Sequence, residues 1–391
     1  MKGKAEISIN QFIVGLFFII WATNAYVLVG NLGKYISLFA GMFLIFNSVF
    51  KYNLFKQSTL FFFKTIALYG LYVVISFILN QKTTDPVLLV FGFINLILFI
   101  SGYLFSKQVL PNETMHVKLI FVMAILTIIG AIKLYTMQAS LGIGSQRDLG
   151  DENLNAVGVA YVYGQLFLLF FWLFNKDGSK LIKALLLITL VAIVVVLLIT
   201  ESRGAVLFLL LTLGWFYKQK LRSYLRLKTI LLILIVGVGL LFVFRTNKII
   251  ESKIEIVTKR FESAFKDVSS NKGGDGSLAE RRDIQSVFFE HYDSMFLGYE
   301  GYAPYPHNQY IEIYMRWGIF GIPLLLVSII SFKRALVFVK NRNYLEKSTQ
   351  YLIVTIFFFC YLQSMSSLSL EMNRTMWFGF GVLITNSLKR K

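Results

Sequence analysis

The residues of this chain best suited to chemistry are few, and most are cations: Arg147, Arg203, Arg281, Arg282 and Arg316, with Arg374 nearby and His307 among only three histidines. Guanidinium forks grip phosphate oxygens two at a time, and a diphosphate that leaves without a metal needs its charge met by such groups. An imidazole, whose ordinary pKa lies near neutrality, can accept the proton of an attacking hydroxyl. Arginines for a leaving diphosphate and a histidine for an acceptor alcohol amount to a glycosyl-transfer site. A metal site is hard to build, because His116, His291 and His307 are far apart and no Asp-x-Asp pair suits a divalent cation. No metal and no cofactor are expected.

Membrane helices must carry these residues. With 391 residues, 56% hydrophobic and 15% charged, and a mean hydropathy of +0.66, the chain is too apolar for a soluble domain. Apolar stretches of about 20 residues recur, each long enough to cross a hydrocarbon core as a helix. Barrel-like alternation is absent, so the expected fold is all-α and polytopic. Twelve spans are predicted, at 11–30, 33–50, 60–79, 87–106, 117–138, 154–174, 181–199, 203–217, 229–245, 318–338, 350–370 and 374–388. The first, after Lys2 and Lys4, reads as a span rather than a cleaved leader, because another apolar stretch follows at once. The domain division is a membrane bundle over 1–245, one large outer loop over 246–306 between spans nine and ten, and a second bundle over 307–391.

A formal charge of +18 would point to nucleic acid in a soluble protein. Here the basic residues cluster in every second connection, as at Lys176, Lys180 and Lys183 or Lys333, Arg334 and Lys340. The positive-inside rule places those connections and both termini in the cytoplasm, so the charge sets topology and the partner is a lipid bilayer, with no nucleic acid. Across the membrane fall the 142–155 segment, the turn Glu201, Ser202, Arg203, Gly204, the long loop, the stretch beginning at His307 and the turn from Glu371 to Arg374.

Within the loop, Gly273, Gly274 and Gly276 mark a flexible middle, and acidic and basic residues nearly balance, which excludes a polyanion-binding arm. From Arg281 to Phe296, the spacing of Ile284, Val287, Phe288 and Tyr292 predicts an amphipathic helix on the membrane surface or on the bundle. No Asp or Glu falls inside a predicted span, which weighs against an ion-coupled transporter. Lys64 and Lys133 do fall inside spans and are expected to snorkel. The lone Cys360 rules out an intrachain disulfide.

Each candidate also has a plain structural reading. Arg203 sits where a span meets the interface, as an anchor would; Arg281 and Arg282 open a helix; His307 follows a proline turn and precedes a helix it could cap.

Taken together, the segment Thr200 to Gly204, the stretch Ser277 to Arg281 with Gly298 beyond it, and His307, Asn308 through Trp317, Gly318 and Gly321 resemble the O-antigen ligase and polymerase superfamily. Arg147, followed by Asn153 and Asn155, resembles its pattern less specifically. The resemblance covers roughly 140–325. It implies an inverting, metal-independent glycosyltransferase of the bacterial inner membrane that takes a glycan from undecaprenyl diphosphate on the outer face. Carried over, Arg203 and Arg281 would hold the diphosphate and His307 would orient or deprotonate the acceptor hydroxyl, with Arg147, Asn155, Arg282, Asn308 and Arg316 contributing to substrate binding. The approach through Ser277 and Leu278 favours Arg281 over Arg282. Arg316 departs from the pattern, standing where an acidic residue is expected.

The superfamily divides by acceptor: a polymerase extends a lipid-linked chain, and a ligase moves the finished chain to lipid A core. The near-neutral loop favours a polymerase, since a phosphorylated acceptor calls for a more basic outer face. A polysaccharide flippase is the competing class. Implied partners are the lipid-linked donor, an acceptor glycan or lipid A core, and flippase and chain-length regulator proteins.

Overall fold

The structure, a computed structural model, describes residues 2–50, 64, 86–106, 115–141, 149, 151, 154–176, 179–218, 251–259, 262–263, 277–293, 296, 298, 306–340, 348–367, 369–370 and 372–384. Among them there is no strand, as expected where hydrocarbon forces each backbone group to find its partner within its own segment. The helices are α1 (Lys2–Val29), α2 (Asn31–Phe50), α3 (Pro86–Ser106), α4 (Val117–Leu141), α5 (Ala156–Lys176), α6 (Lys180–Ile199) and α7 (Arg203–Phe216). They continue with α8 (251–259), then α9 (Ser277–His291), α10 (Gln309–Trp317), a 3-10 turn (Gly318–Gly321), α11 (Ile322–Lys340), α12 (Thr349–Ser364) and α13 (Arg374–Ile384).

Helices occupy ten of the twelve predicted span positions; the other two, 60–79 and 229–245, lie outside the described residues, as do Arg147, Asn153 and the glycines of the loop middle. Among the described residues six helices are long and apolar enough to cross a membrane, including the continuous run Gln309–Phe338. That run begins nine residues before the predicted boundary at 318, because Asn308 starts the helix by accepting the backbone N–H groups of Tyr310 (2.9 Å) and Ile311 (3.4 Å). It corrects the reading that no carboxylate lies within a span: Glu312 falls inside it, fully buried, paired with Arg316 at 2.9 Å and accepting the Leu370 N–H at 3.3 Å.

The chain divides into two compact units. The first comprises Met1–Ala22, Tyr35–Leu119 and Gly276–Lys391. Its helices approach through glycines: Gly15 faces Gly41 between α1 and α2, and Gly102 and Gly381 each sit on the other helix's backbone between α3 and α13, leaving no room for a β-carbon. Phe12 stacks on Phe105 at 4.4 Å and meets Phe378 at 5.3 Å. Helix α12, apolar around its circumference, is buried along nearly its whole length. Arg334 caps the far end of α13, donating to the carbonyls of Leu383 (2.7 Å) and Ile384.

Thr23–Lys34 and Ile120–Asp275 form the second unit. Its interior carries a polar pair, in which the Tyr163 hydroxyl donates to Asn24 Oδ1 at 2.6 Å over the backbone of Gly130. Tyr26 donates to the carboxylate of Asp151 at 2.9 and 3.1 Å. Lys133 is exposed and reaches the Leu28 carbonyl at 3.4 Å, so its charge meets the C-terminal end of α1.

Candidate functional site

His307 lies in the first unit, in a left-handed conformation at φ 53. Side chains with a β-carbon rarely adopt that geometry, and it persists where neighbouring contacts enforce it. Both flanks supply them. Before it, the carbonyl of Pro306 accepts the side-chain amide of Gln285 at 3.0 Å; after it, Asn308 is committed to capping α10. His307 is half-buried, while His116 and His291 are exposed.

Gln285 belongs to α9, and Arg281 lies one turn earlier on the same helical face. The hydrogen bond to Pro306 thus draws the Arg281 face of α9 to the histidine segment. Arg281 is half-buried, and among the described residues none forms a hydrogen bond or ion pair with it. Arg282 is the next residue of α9; its side chain lies outside the described residues.

The exit from α9 docks on the far end of α10. Ile319 donates its N–H to the carbonyl of Phe296 at 2.9 Å. Gly298 (φ 106) lies on the carbonyl of Arg316, and Gly318 (φ 52) lies on that of Phe296, each too close for any side chain. Both glycines of the motif therefore serve this crossing. Phe288 packs edge-on against Tyr314 at 5.6 Å, adding an apolar contact between the same two helices.

Beneath the histidine, α10 is anchored by polar contacts in the interior. Gln309 donates to Ser328 Oγ at 3.2 Å and accepts from Ser364 Oγ at 2.8 Å. Ser328 also meets the Tyr361 hydroxyl at 3.4 Å, and Tyr361 pairs with Tyr310. These residues, with Glu312, escaped the sequence reading. The available sign was the pair of polar residues Gln309 and Glu312 three positions apart, one helical face, entering an apolar run. Arg316 stands on the same helix one turn after Glu312 and is engaged with it in an ion pair.

In the second unit Arg203 is the first residue of α7, reached through a tight turn from α6 in which Glu201 adopts φ 51. Among the described residues, Glu201 and His307 are the non-glycine residues at positive φ, one in each segment expected to carry chemistry. The Glu201 carboxylate forms an ion pair with Lys253 of α8 at 2.7 Å, both side chains fully buried. Removing one partner of such a pair costs about 3–5 kcal/mol, because the other charge stays buried and uncompensated. A second pair on α8 behaves differently: Lys259 hydrogen-bonds the exposed Glu255 and holds that carboxyl below its ordinary pKa, in solvent that screens the attraction.

Asn155 precedes α5 and is exposed, its side-chain oxygen capping that helix through Val157 (2.8 Å) and Gly158 (3.3 Å). The structure thus joins the Arg281 helix to the His307, Asn308 and Arg316 segment in one unit, and places Arg203 and Asn155 in the other. No group of three or more His, Cys, Asp or Glu residues arranged for a metal occurs among the described residues.

An all-helical membrane protein with half-buried arginines and a strained histidine is the class defined so far. Residues 188–326 match the family model described as O-antigen ligase, which supports the O-antigen ligase and polymerase superfamily. The match runs from α6 into α11 and takes in Arg203, Lys253, Arg281, Gly298, His307, Gly318 and Gly321. No curated protein and no solved structure matches the chain.

Proposed function

We propose that the chain is a membrane glycosyltransferase that moves a glycan from undecaprenyl diphosphate to an acceptor sugar hydroxyl in surface-polysaccharide assembly, acting as a polymerase at the outer face of the inner membrane. The observation that carries this reading is the left-handed backbone at His307, held between the Gln285 contact and the Asn308 cap next to the helix bearing Arg281. In the proposed step the acceptor oxygen attacks the anomeric carbon as the bond from that carbon to the phosphate oxygen breaks. His307 takes the hydroxyl proton, and the diphosphate departs with the bonding electrons. Arg281 and Arg203 meet its charge, so that no metal is required. Attack opposite the leaving group inverts the anomeric centre. Arg147, Asn155, Arg282, Asn308 and Arg316 are assigned to substrate binding, with Asn155 and Asn308 keeping only their amide N–H groups for that purpose once their oxygens cap helices.

Lipid-linked glycan from a strain lacking the protein tests the assignment. Single unextended repeat units on the carrier are the expected result. Full-length chains stranded on the carrier would assign the ligase reaction instead. Reconstituted protein that moves lipid-linked oligosaccharide across a bilayer without forming a glycosidic bond would overturn the enzyme reading in favour of a flippase.

A further inference from the structure

The turn that presents Arg203 is held from two sides. On one, Gly204 lies against the Tyr161 hydroxyl of α5, where a β-carbon would come within 2.9 Å of the oxygen. On the other stands α8, whose single buried residue is Lys253. Among the described residues 251–259 the others are half-buried or exposed, and the ion pair from Lys253 to Glu201 is a fully buried tie from this segment to the turn.

Local hydrogen bonds tie the first half of the turn back to α6, through the Thr200 hydroxyl to Leu197 (3.0 Å) and the Glu201 N–H to Leu198 (3.1 Å), but the start of α7 lacks a side-chain cap. Ser202 occupies the N-cap position of α7 but its side chain makes no capping hydrogen bond, so the usual lock on a helix start is missing. Glu201 sits at φ 51, a conformation a glutamate keeps only under external constraint. A buried carboxylate two residues before Arg203, in a left-handed conformation and neutralised by a lysine 52 positions later, supplies that constraint.

We infer that Lys253 is a positioning residue for Arg203: its ion pair with Glu201 docks α8 on the 200–204 turn and fixes the start of α7, from which the guanidinium is presented to the donor diphosphate. The inference rests on the donor role proposed for Arg203. It gives the loop a function distinct from that of α9: the 251–259 segment acts through the Glu201 carboxylate and the turn that carries it.

The test uses the full-length protein in detergent or nanodiscs, with a polyprenyl-diphosphate-linked oligosaccharide as donor. Lys253→Met is expected to speed hydrogen exchange in 251–259 and 200–206 and to raise the donor KM about tenfold or more, the scale of a displaced binding group, with a smaller change in kcat. Lys253→Arg restores both. Should Lys253→Met alone fail to fold, the double variant Glu201→Gln/Lys253→Met leaves no unpaired buried charge and is expected to keep the raised KM. Wild-type KM and wild-type exchange in either the single or the double variant, beside an impaired Arg203→Ala, would overturn the inference alone. Arg203→Ala at the wild-type KM would overturn the donor role of Arg203, and the inference with it.

Discussion

Gln285 reaches across from α9 to hold the carbonyl of Pro306 at 3.0 Å, one residue ahead of His307. The bond couples the helix that carries Arg281 to the strained histidine segment. Gln285→Ala removes the donor and leaves the rest of α9 intact, so the expected outcome is a stability loss of about 0.5–1.5 kcal/mol with a disproportionate loss of glycosyl transfer, on the order of tenfold. Gln285→Glu, which presents an acceptor to a carbonyl, is expected to be worse on both counts. Thermal unfolding and product formation measured on the same preparations check the pair.

Replacement of His307 separates its chemistry from its backbone. Both His307→Ala and His307→Gly are expected to lose activity by a factor of about 10²–10⁴, the usual worth of a general base. Their stabilities should differ, because a left-handed residue with a β-carbon costs roughly 1–2 kcal/mol that glycine avoids. His307→Gly is therefore expected to melt higher than His307→Ala while remaining equally inactive. Equal melting temperatures would count against the conformation at φ 53.

For the arginines the expectation concerns shape rather than charge. Arg203→Lys and Arg281→Lys keep the cation but lose the planar fork, and each is expected to lose most activity. Chelator should leave the wild-type rate unchanged. Loss of activity in chelator, restored by magnesium, would contradict the metal-independent step.

Gly318→Ala tests the crossing between the 296–298 segment and α10. Alanine at φ 52 is strained, and its β-carbon would strike the Phe296 carbonyl. The variant is expected to lose at least about 1–3 kcal/mol from backbone strain alone, and limited proteolysis near 290–300 should speed up. Gly214, with open space around it, is the control: Gly214→Ala should be neutral or slightly stabilising, since alanine favours a helix by about 1 kcal/mol.

Much of the scaffold was legible because hydrocarbon leaves few options: runs such as 181–199 and 117–138 admit only a helix, and α6 and α4 stand there. The helical spacing of Ile284, Val287 and Phe288 yields α9, but the helix begins at Ser277 and ends at His291, leaving Tyr292 and Phe296 beyond it and exposed. The start of α10 is hidden in the sequence because Glu312 and Arg316 make its first turns look like an interfacial polar segment; in the structure Asn308 caps the helix and the two charges pair with each other. Lys253 was illegible for a different reason. In a loop rich in both charges nothing in the sequence marks one lysine as buried, although the carboxylate of Glu201, isolated between two apolar spans, required a partner from somewhere. Asn155 and Asn308 were read as substrate residues, and their capping bonds show that helix starts draw on the same residue types.

The reciprocal seating of Gly298 on Arg316 and Gly318 on Phe296 bears on how this protein can be re-engineered. Each glycine is sterically answerable to the other strand of the crossing, so neither can be exchanged on its own for a bulkier residue with a local remedy. A chimaera that exchanges this region with that of a related protein would have to carry residues 296–318 as one cassette; a splice point between the two glycines would join halves that no longer fit.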